Sequence, residues 1–420
     1  MVMKRLSLLA VSLATAVTTA ITALAPAECG AAGQTQVAPY FLPMVTRTQQ
    51  FNDGDQTGKL LYMRLTTARM LEHTDVFSNA NQALIKIAEQ EESQRLATQA
   101  NMTAIARDMR SEQQKNGATS FTPFESTLDI YFQRADSSLI SYLGLGATYE
   151  GGAHGLYGVY GKTIDTASGR ELALDDIVTD WTALGEAIKA QLRFSYPSAS
   201  FMESGSTLME EMVDECIKGK RLTWSINPQG VSFYFNPYHI GSYSEGIFTV
   251  NILHSEYPDL FRNRQGPSTT YWKTPVEFAI DLIPYLKMRL SDSPRGDTIW
   301  IGSDTNGIDI DYCGEKLHDA VPAAHIIPTC IQYPDGRRYL LVDYSNDWRN
   351  YRLRVYALKE TPVLMGDYNM TRRITTPEEE NDQQWYVLTN PDLFYMTSND
   401  GGGERLKCHF APDGTLYISK

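Results

Sequence analysis

Along the chain the spacing of apolar positions changes twice, and each change marks a different kind of element. From about Asn79 to Lys115 there is neither glycine nor proline. Leu84, Ile87, Ala88, Leu96, Ala100, Met102, Ile105, Ala106 and Met109 recur at three- and four-residue intervals. That spacing predicts one long helix or a broken pair, with an alanine-rich stripe for packing. Before it, residues 34–75 are mixed, and only L-L-Y-M-R-L-T-T-A-R at 60–69 reads as a strand. From residue 121 the spacing shortens to alternation, and T-L-D-I-Y-F-Q-R-A-D and S-L-I-S-Y-L-G-L-G-A-T-Y-E read as strands. A turn at Ser168-Gly169 then leads to a helix near Trp181–Phe194, with Trp181, Leu184, Ile188 and Leu192 on one face. Asp175 and Asp176 precede it, where a helix N-terminus favours acids. R-L-T-W-S-I-N-P-Q-G-V-S-F-Y-F-N-P-Y is a hairpin turning on N-P-Q-G.

Residues 262–275 are polar and turn-forming, which places a domain boundary there or slightly later. Beyond it the signals are all strand: D-T-I-W-I-G-S, G-I-D-I-D-Y, R-R-Y-L-L-V-D-Y, Y-R-L-R-V-Y-A-L and T-L-Y-I-S, with Asp-Gly and Gly-rich turns between them. The C-terminal part is expected to be a mostly antiparallel β domain, as a sandwich, barrel or blade-like sheet. No repeat period is firm enough to define a propeller.

The first residues change the picture of where the protein works. Lys4 and Arg5 precede an apolar run from Leu6 to Leu24, and Ala25-Pro26-Ala27 follows with small residues. This pattern predicts a secretory signal peptide over residues 1–27 and an exported protein in the periplasm, cell envelope or extracellular space. No later segment has about 18 uninterrupted apolar residues, so no transmembrane segment is expected in the mature chain. Cys29 follows Glu28, not the small residue that precedes a lipid-attachment cysteine. The formal charge is -13, and loss of Lys4 and Arg5 makes it two units more negative. An acidic chain is a poor ligand for phosphate backbones, so no nucleic-acid partner is expected.

Candidate chemistry is sparse. The five cysteines form no C-x-x-C pair. Cys313 and Cys330 are close enough in sequence for one disulfide in an oxidising compartment. The histidines form no H-x-H or H-x-x-x-H pair, and no metal or other cofactor is expected. Asp304, Asn306, Asp309 and Asp311 have the composition of a calcium loop without its spacing, and read as a turn entering a strand. There is no G-x-S-x-G, no H-E-x-x-H and no phosphate loop, and no catalytic residue is assigned. Y-E-G-G-A-H-G-L-Y-G-V-Y-G at 149–161 is the one unusual stretch. Gly151, Gly152 and Gly155 are expected to make a sharp turn that His154 locks through a backbone hydrogen bond. Tyr149, Tyr157 and Tyr160, with Pro237, Tyr238 and Tyr243 from a later turn, are then candidates, together with His154, for a ligand-binding aromatic face.

Arg134-Ala135-Asp136, Y-E-G-G-A-H-G at 149–155, Gly169, Leu172, Leu174, Asp175, Asp176 and F-Y-F-N-P-Y-H-I-G-S-Y-S-E-G at 233–246 together resemble the extracytoplasmic RsiV/PdaC-like domain family. It is a domain of unknown function shared by the lysozyme-sensing anti-sigma factor RsiV and the peptidoglycan deacetylase PdaC. The resemblance implies an α+β fold, a sheet with packed helices. Its core would span residues 121–262, after an N-terminal helical leader over 28–120. A linker over 263–289 and the β-rich C-terminal domain over 290–420 would follow. Only five residues precede the apolar run and the deacetylase metal motif is missing, so neither an anti-sigma role nor deacetylase activity is expected. What the resemblance implies is a non-enzymatic envelope module that binds a lysozyme-like protein or peptidoglycan. A cell-wall glycan hydrolase whose carboxylates converge only in the fold, and a structural envelope assembly protein, are the alternatives.

Overall fold

A computed structural model describes residues 40–262, 276–277, 286–289 and 297–419, apart from short gaps at 57, 73–74, 334, 348–349, 375–381, 401–402 and 412. The expected signal peptide and most of the expected linker lie outside the described residues.

The first elements are two long strands, β1 (Met44–Asp55) and β2 (Gly58–Met70). Helix α1 (Ser78–Lys115) then crosses over to β3 (Phe124–Ala135), which pairs parallel with β2. A parallel pair requires such a crossover. Strands β4 (Leu139–Tyr149) and β5 (Leu156–Asp165) continue the sheet as antiparallel neighbours. Of the two expectations, one long helix or a broken pair, the single helix is present, but its stripe breaks at the centre. Arg95 is buried there, while Leu96 is 54% exposed. The Arg95 guanidinium lies 3.7 Å from the centre of the Phe51 ring and is held by Glu92 and Gln99, so a cation on an aromatic face replaces the expected leucine contact.

On the sheet face away from α1 packs a three-stranded sheet of β6 (Thr223–Ile226), β7 (Gly230–Phe235) and β8 (Phe248–Leu253). Its far side carries α2 (Trp181–Ser195) and α3 (Leu208–Gly219), around a core of Leu184, Ile188, Leu192, Val213, Phe233 and Val250. The predicted helix face is buried as its spacing requires. Between the two sheets the contacts are partly polar: Ser141 Oγ lies 2.9 Å from Thr163 Oγ1 and accepts from Ile226 N at 3.0 Å. Arg134 and Asp136 form a fully buried ion pair, and Asp136 also accepts from Ser138 N and Leu139 N, pinning the β3–β4 turn.

Among the described residues, the C-terminal strands other than Arg373–Ile374 and Asp382–Tyr386 form three antiparallel sheets. The middle one has strands 325–332, 338–345, 352–358 and 362–368, of which the first three are covered on both faces while the edge strand 362–368 stays largely exposed. Ile299, Ile301, Ile308 and Ile310 cover one side, and Phe394, Met396, Leu406 and Phe410 cover the other. Strand Arg338–Ser345 is accordingly buried at every position. The fold is α+β with mostly antiparallel sheets in the C-terminal part.

Three expectations are corrected. Residues 28–120 are not a helical leader to a separate core, because β1 and β2 lie inside the seven-stranded sheet and β2 pairs directly with β3. Nor do residues 290–420 stand apart. Strand Asp382–Tyr386 pairs antiparallel with β1, from Val45↔Tyr386 to Gln49↔Asp382, and residues 38–420 form one unit. Asp343, buried in the middle sheet, holds Arg372 Nε and Nη2 at 2.8 and 2.7 Å, directly ahead of the short strand Arg373–Ile374 that pairs with Asp382–Tyr386. The Cys313–Cys330 disulfide is not formed, since both thiols are free. Cys313 is exposed at a left-handed turn position beside Asp297, whereas Cys330 is buried mid-strand against Leu340, so the two side chains serve different environments.

Candidate functional site

The hairpin loop between β4 and β5 reverses at Gly151, whose φ is 76°. A side chain there would meet Met109 Sδ at 2.8 Å and the Phe124 ring at 3.1 Å. Gly155 is required for another reason, since a Cβ would stand 2.6 Å from the carbonyl oxygen of Thr148 across the loop. Gly152 has neither constraint: its nearest neighbour would be 3.8 Å away and its φ is not positive. The turn therefore rests on Gly151 and Gly155. Gly155→Ala is expected to lower stability by about 1–3 kcal/mol through overlap with backbone, and Gly152→Ala to stay within about 0.5 kcal/mol. Thermal melts of the two variants check this, and equal loss in both would contradict it.

His154 Nδ1 lies 2.8 Å from the Gly155 carbonyl oxygen. A carbonyl only accepts, so Nδ1 carries a proton in this bond. The same oxygen accepts from the Tyr243 hydroxyl at 2.7 Å. Those two donors bring the rings together, and His154 stacks on Tyr243 with centroids 4.1 Å apart and planes at 27°. Tyr157 meets Tyr243 edge-on at 5.5 Å, and Tyr238 lies tilted beside it at 5.6 Å. Tyr238 follows the half-buried Pro237 in a turn closed by His239 N donating to Asn236 O at 3.0 Å. At that turn position Tyr238 adopts φ 70°, a left-handed conformation rarely taken by a side chain of this size, and it remains 59% exposed. Burial raises the Tyr157 and Tyr243 hydroxyl pKa values above the usual tyrosine range, so both are neutral hydrogen-bonding groups at physiological pH.

The remaining sequence candidates lie elsewhere. Tyr160 is on the α1 side of the sheet, where its hydroxyl donates to Glu91 at 2.9 Å. Burial raises Glu91 despite that bond and the nearby Lys162. Tyr149 pairs with Glu125 in the sheet and, among the described residues, makes no ring contact with the cluster. Asp304 accepts from Asn306 N and Gly307 N and closes a turn ahead of strand Ile308–Tyr312. No group of three or more His, Cys, Asp or Glu side chains able to hold a metal ion occurs among the described residues. Nor, among them, is any helix long and apolar enough to cross a membrane.

Three residues that support the cluster escaped the sequence reading. Asn236 accepts from Val159 N at 2.8 Å and donates to Val159 O at 3.1 Å, so its amide pairs with edge strand β5 as a peptide group would. Glu245 accepts from Ser242 N and Oγ at 2.7 and 2.8 Å and from Ser200 N and Oγ at 2.7 and 2.6 Å. Burial alone would raise its pKa, but these hydrogen bonds outweigh it and hold the carboxyl at about 2. Ser200 completes this clasp between two loops. The spacing Ser242-x-x-Glu245 is a capping box and was the one available signal.

The profile of a protein family described as "protein of unknown function (DUF3298)" matches residues 175–255. No curated protein matches the chain. Among solved structures, a DUF3298 family member from Bacteroides fragilis is similar at 18% identity, covering 52% of this chain and 93% of its own, with a TM-score of 0.39. A DUF3298 family protein from Pseudomonas aeruginosa is similar at 15% identity, covering 54% of this chain and 98% of its own, with a TM-score of 0.33. The chain thus carries a DUF3298 match over residues 175–255, the stretch that contains α2, α3, β6 to β8 and two of the clustered rings, Tyr238 and Tyr243.

Proposed function

We propose that this is an exported bacterial envelope protein of the RsiV/PdaC-like kind, acting as a non-enzymatic binding module for a lysozyme-like protein or peptidoglycan. The observation that carries the reading is Tyr238, held left-handed and largely exposed on a stack that runs through Tyr243 to His154. Left-handed backbone at a bulky residue costs on the order of 1–3 kcal/mol and persists where neighbours enforce it, often at ligand contacts. Rings with polar ends, already fixed by Gly155 O and Glu245, lose little entropy on binding. The sequence resemblance and the acidic charge give the same direction.

Calorimetry at low salt tests it, with lysozyme and with purified peptidoglycan as the two ligands. Heat is expected with one of them. Tyr238→Ala should weaken that binding by about tenfold or more, the scale of a central aromatic contact, while leaving the melting temperature unchanged or higher. No heat with either ligand would refute the proposal.

A further inference from the structure

The loop that follows β8 is docked along its length. Thr179 N donates to Leu260 O at 3.0 Å and Arg262 N to Ile177 O at 2.7 Å, on either side of an isolated bridge between Val178 and Phe261. Thr179 Oγ1 adds bonds to Asp259 O at 2.5 Å and Leu260 O at 2.9 Å. Residues 254–262 are thereby laid against 177–179, where the DUF3298 match at 175–255 ends. The Phe261 ring, 5% exposed, is the apolar anchor of this docking.

His254 meets that ring edge-on, with centroids 5.7 Å apart and planes at 82°. Its backbone is fixed, since His254 N donates to Gln229 O at 2.8 Å. Its Nε2 is buried and has no hydrogen-bond partner among the described residues. The charge that reaches the ring comes from β3, the guanidinium of Arg134. Asp136 offers no compensation, because it is taken by Arg134, Ser138 N and Leu139 N. On the loop itself Glu256 and Asp259 are exposed. Burial first, and Arg134 second, lower the imidazole pKa below the usual histidine range. A neutral ring is tolerated here. An imidazolium is not, because it sets a second cation beside Arg134 and buries a charge that nothing receives.

We infer that His254 makes the docking of residues 254–262 an acid-sensitive clasp, closed while the ring is neutral and released, with the sheets still folded, when the ring takes up a proton. Release lets the imidazolium reach water, whereas Arg134 and Asp136 are pinned in the β3–β4 turn. A histidine of lowered pKa contributes stability that is present above the ordinary histidine pKa and is lost as pH falls through it. The clasp therefore opens below about pH 6.5, before carboxylates titrate. This device is independent of the binding reading, and its test needs no ligand.

Hydrogen–deuterium exchange of the full chain at pH 7.5, 6.5 and 5.5, corrected for the intrinsic pH dependence of exchange, provides that test. Peptides covering 254–262 and 174–181 are expected to lose protection about tenfold by pH 5.5, the equivalent of one pKa unit, while β4 and α2 hold. His254→Leu, apolar at every pH, should abolish the fall, and His254→Gln serves as a second neutral variant. Wild-type protection that stays constant, or that falls equally in both variants, overturns the clasp. So does simultaneous loss in every segment, which is global unfolding. If both variants have already lost the docking at pH 7.5, an NMR titration of the wild-type His254 ring decides. Titration at or above the free histidine value overturns the proposal, and titration below it, with the loop amides shifting in step, supports it.

Discussion

A chain truncated after Arg262 is expected to lose its cooperative thermal transition and to elute as aggregate. Truncation removes Asp382–Tyr386 from the edge of β1, together with the bonds from Val387 N to Met44 O and from Thr389 Oγ1 to Leu42 O. It also removes the Asp382 partner of Arg47 and the buried side chains of Trp385, Tyr386 and Val387. Each large apolar side chain is worth roughly 1.5–3 kcal/mol of burial, against a total stability of about 5–15 kcal/mol for a domain. The newly opened β1 edge is a template for intermolecular pairing. Circular dichroism melts and size-exclusion chromatography decide the matter. A monomeric fragment melting cooperatively within about 5 °C of the full chain would show that the first sheet stands without its C-terminal strand.

Asp343→Asn is expected to cost about 3–5 kcal/mol, the usual result of leaving one partner of a buried ion pair uncompensated. Asp343 is fully buried and Arg372 is 1% exposed, and the carboxylate also accepts from Arg372 N and Thr371 Oγ1. Asparagine keeps a carbonyl for the backbone donor but no charge for the guanidinium. The double variant Asp343→Leu/Arg372→Met should recover much of the loss, because it strands no charge. Urea unfolding of the single and double variants measures both numbers. A single variant within about 1 kcal/mol of wild type would show that the pair does not hold the two sheets together.

What was legible in the sequence was local. The glycine-free run became α1, the face of Leu184, Ile188 and Leu192 became the buried side of α2, and N-P-Q-G turned the β6–β7 hairpin. Strand β1 was not legible, because M-V-T-R-T-Q-Q-F-N-D-G-D is polar and only its first three residues are fully buried. Its strand state is enforced by neighbours on both sides, β2 and Asp382–Tyr386. Pairing between residues that far apart leaves no periodic trace. The same holds inside α1, where Arg95 is buried because Phe51, from another strand, lies under it. Of the proposed aromatic face, His154, Tyr157, Tyr238 and Tyr243 converge. Tyr160 goes to the opposite side of the sheet, as alternation from Tyr157 along β5 requires.

The pairing of β1 with Asp382–Tyr386 also sets a clock on biosynthesis. Arg47 and Asp382 are 335 positions apart. At the usual ribosomal rate of about 5–20 residues per second, roughly 17 to 70 s separate the emergence of the first strand from that of its second neighbour. Once β5 has emerged, and for the rest of that interval, the nascent chain has every element of α1 and β1 to β5 yet an incomplete sheet, and an intermediate of that kind is a substrate for holdase chaperones. The late strand thus works as a latch: the N-terminal sheet is completed only when nearly the whole polypeptide is available.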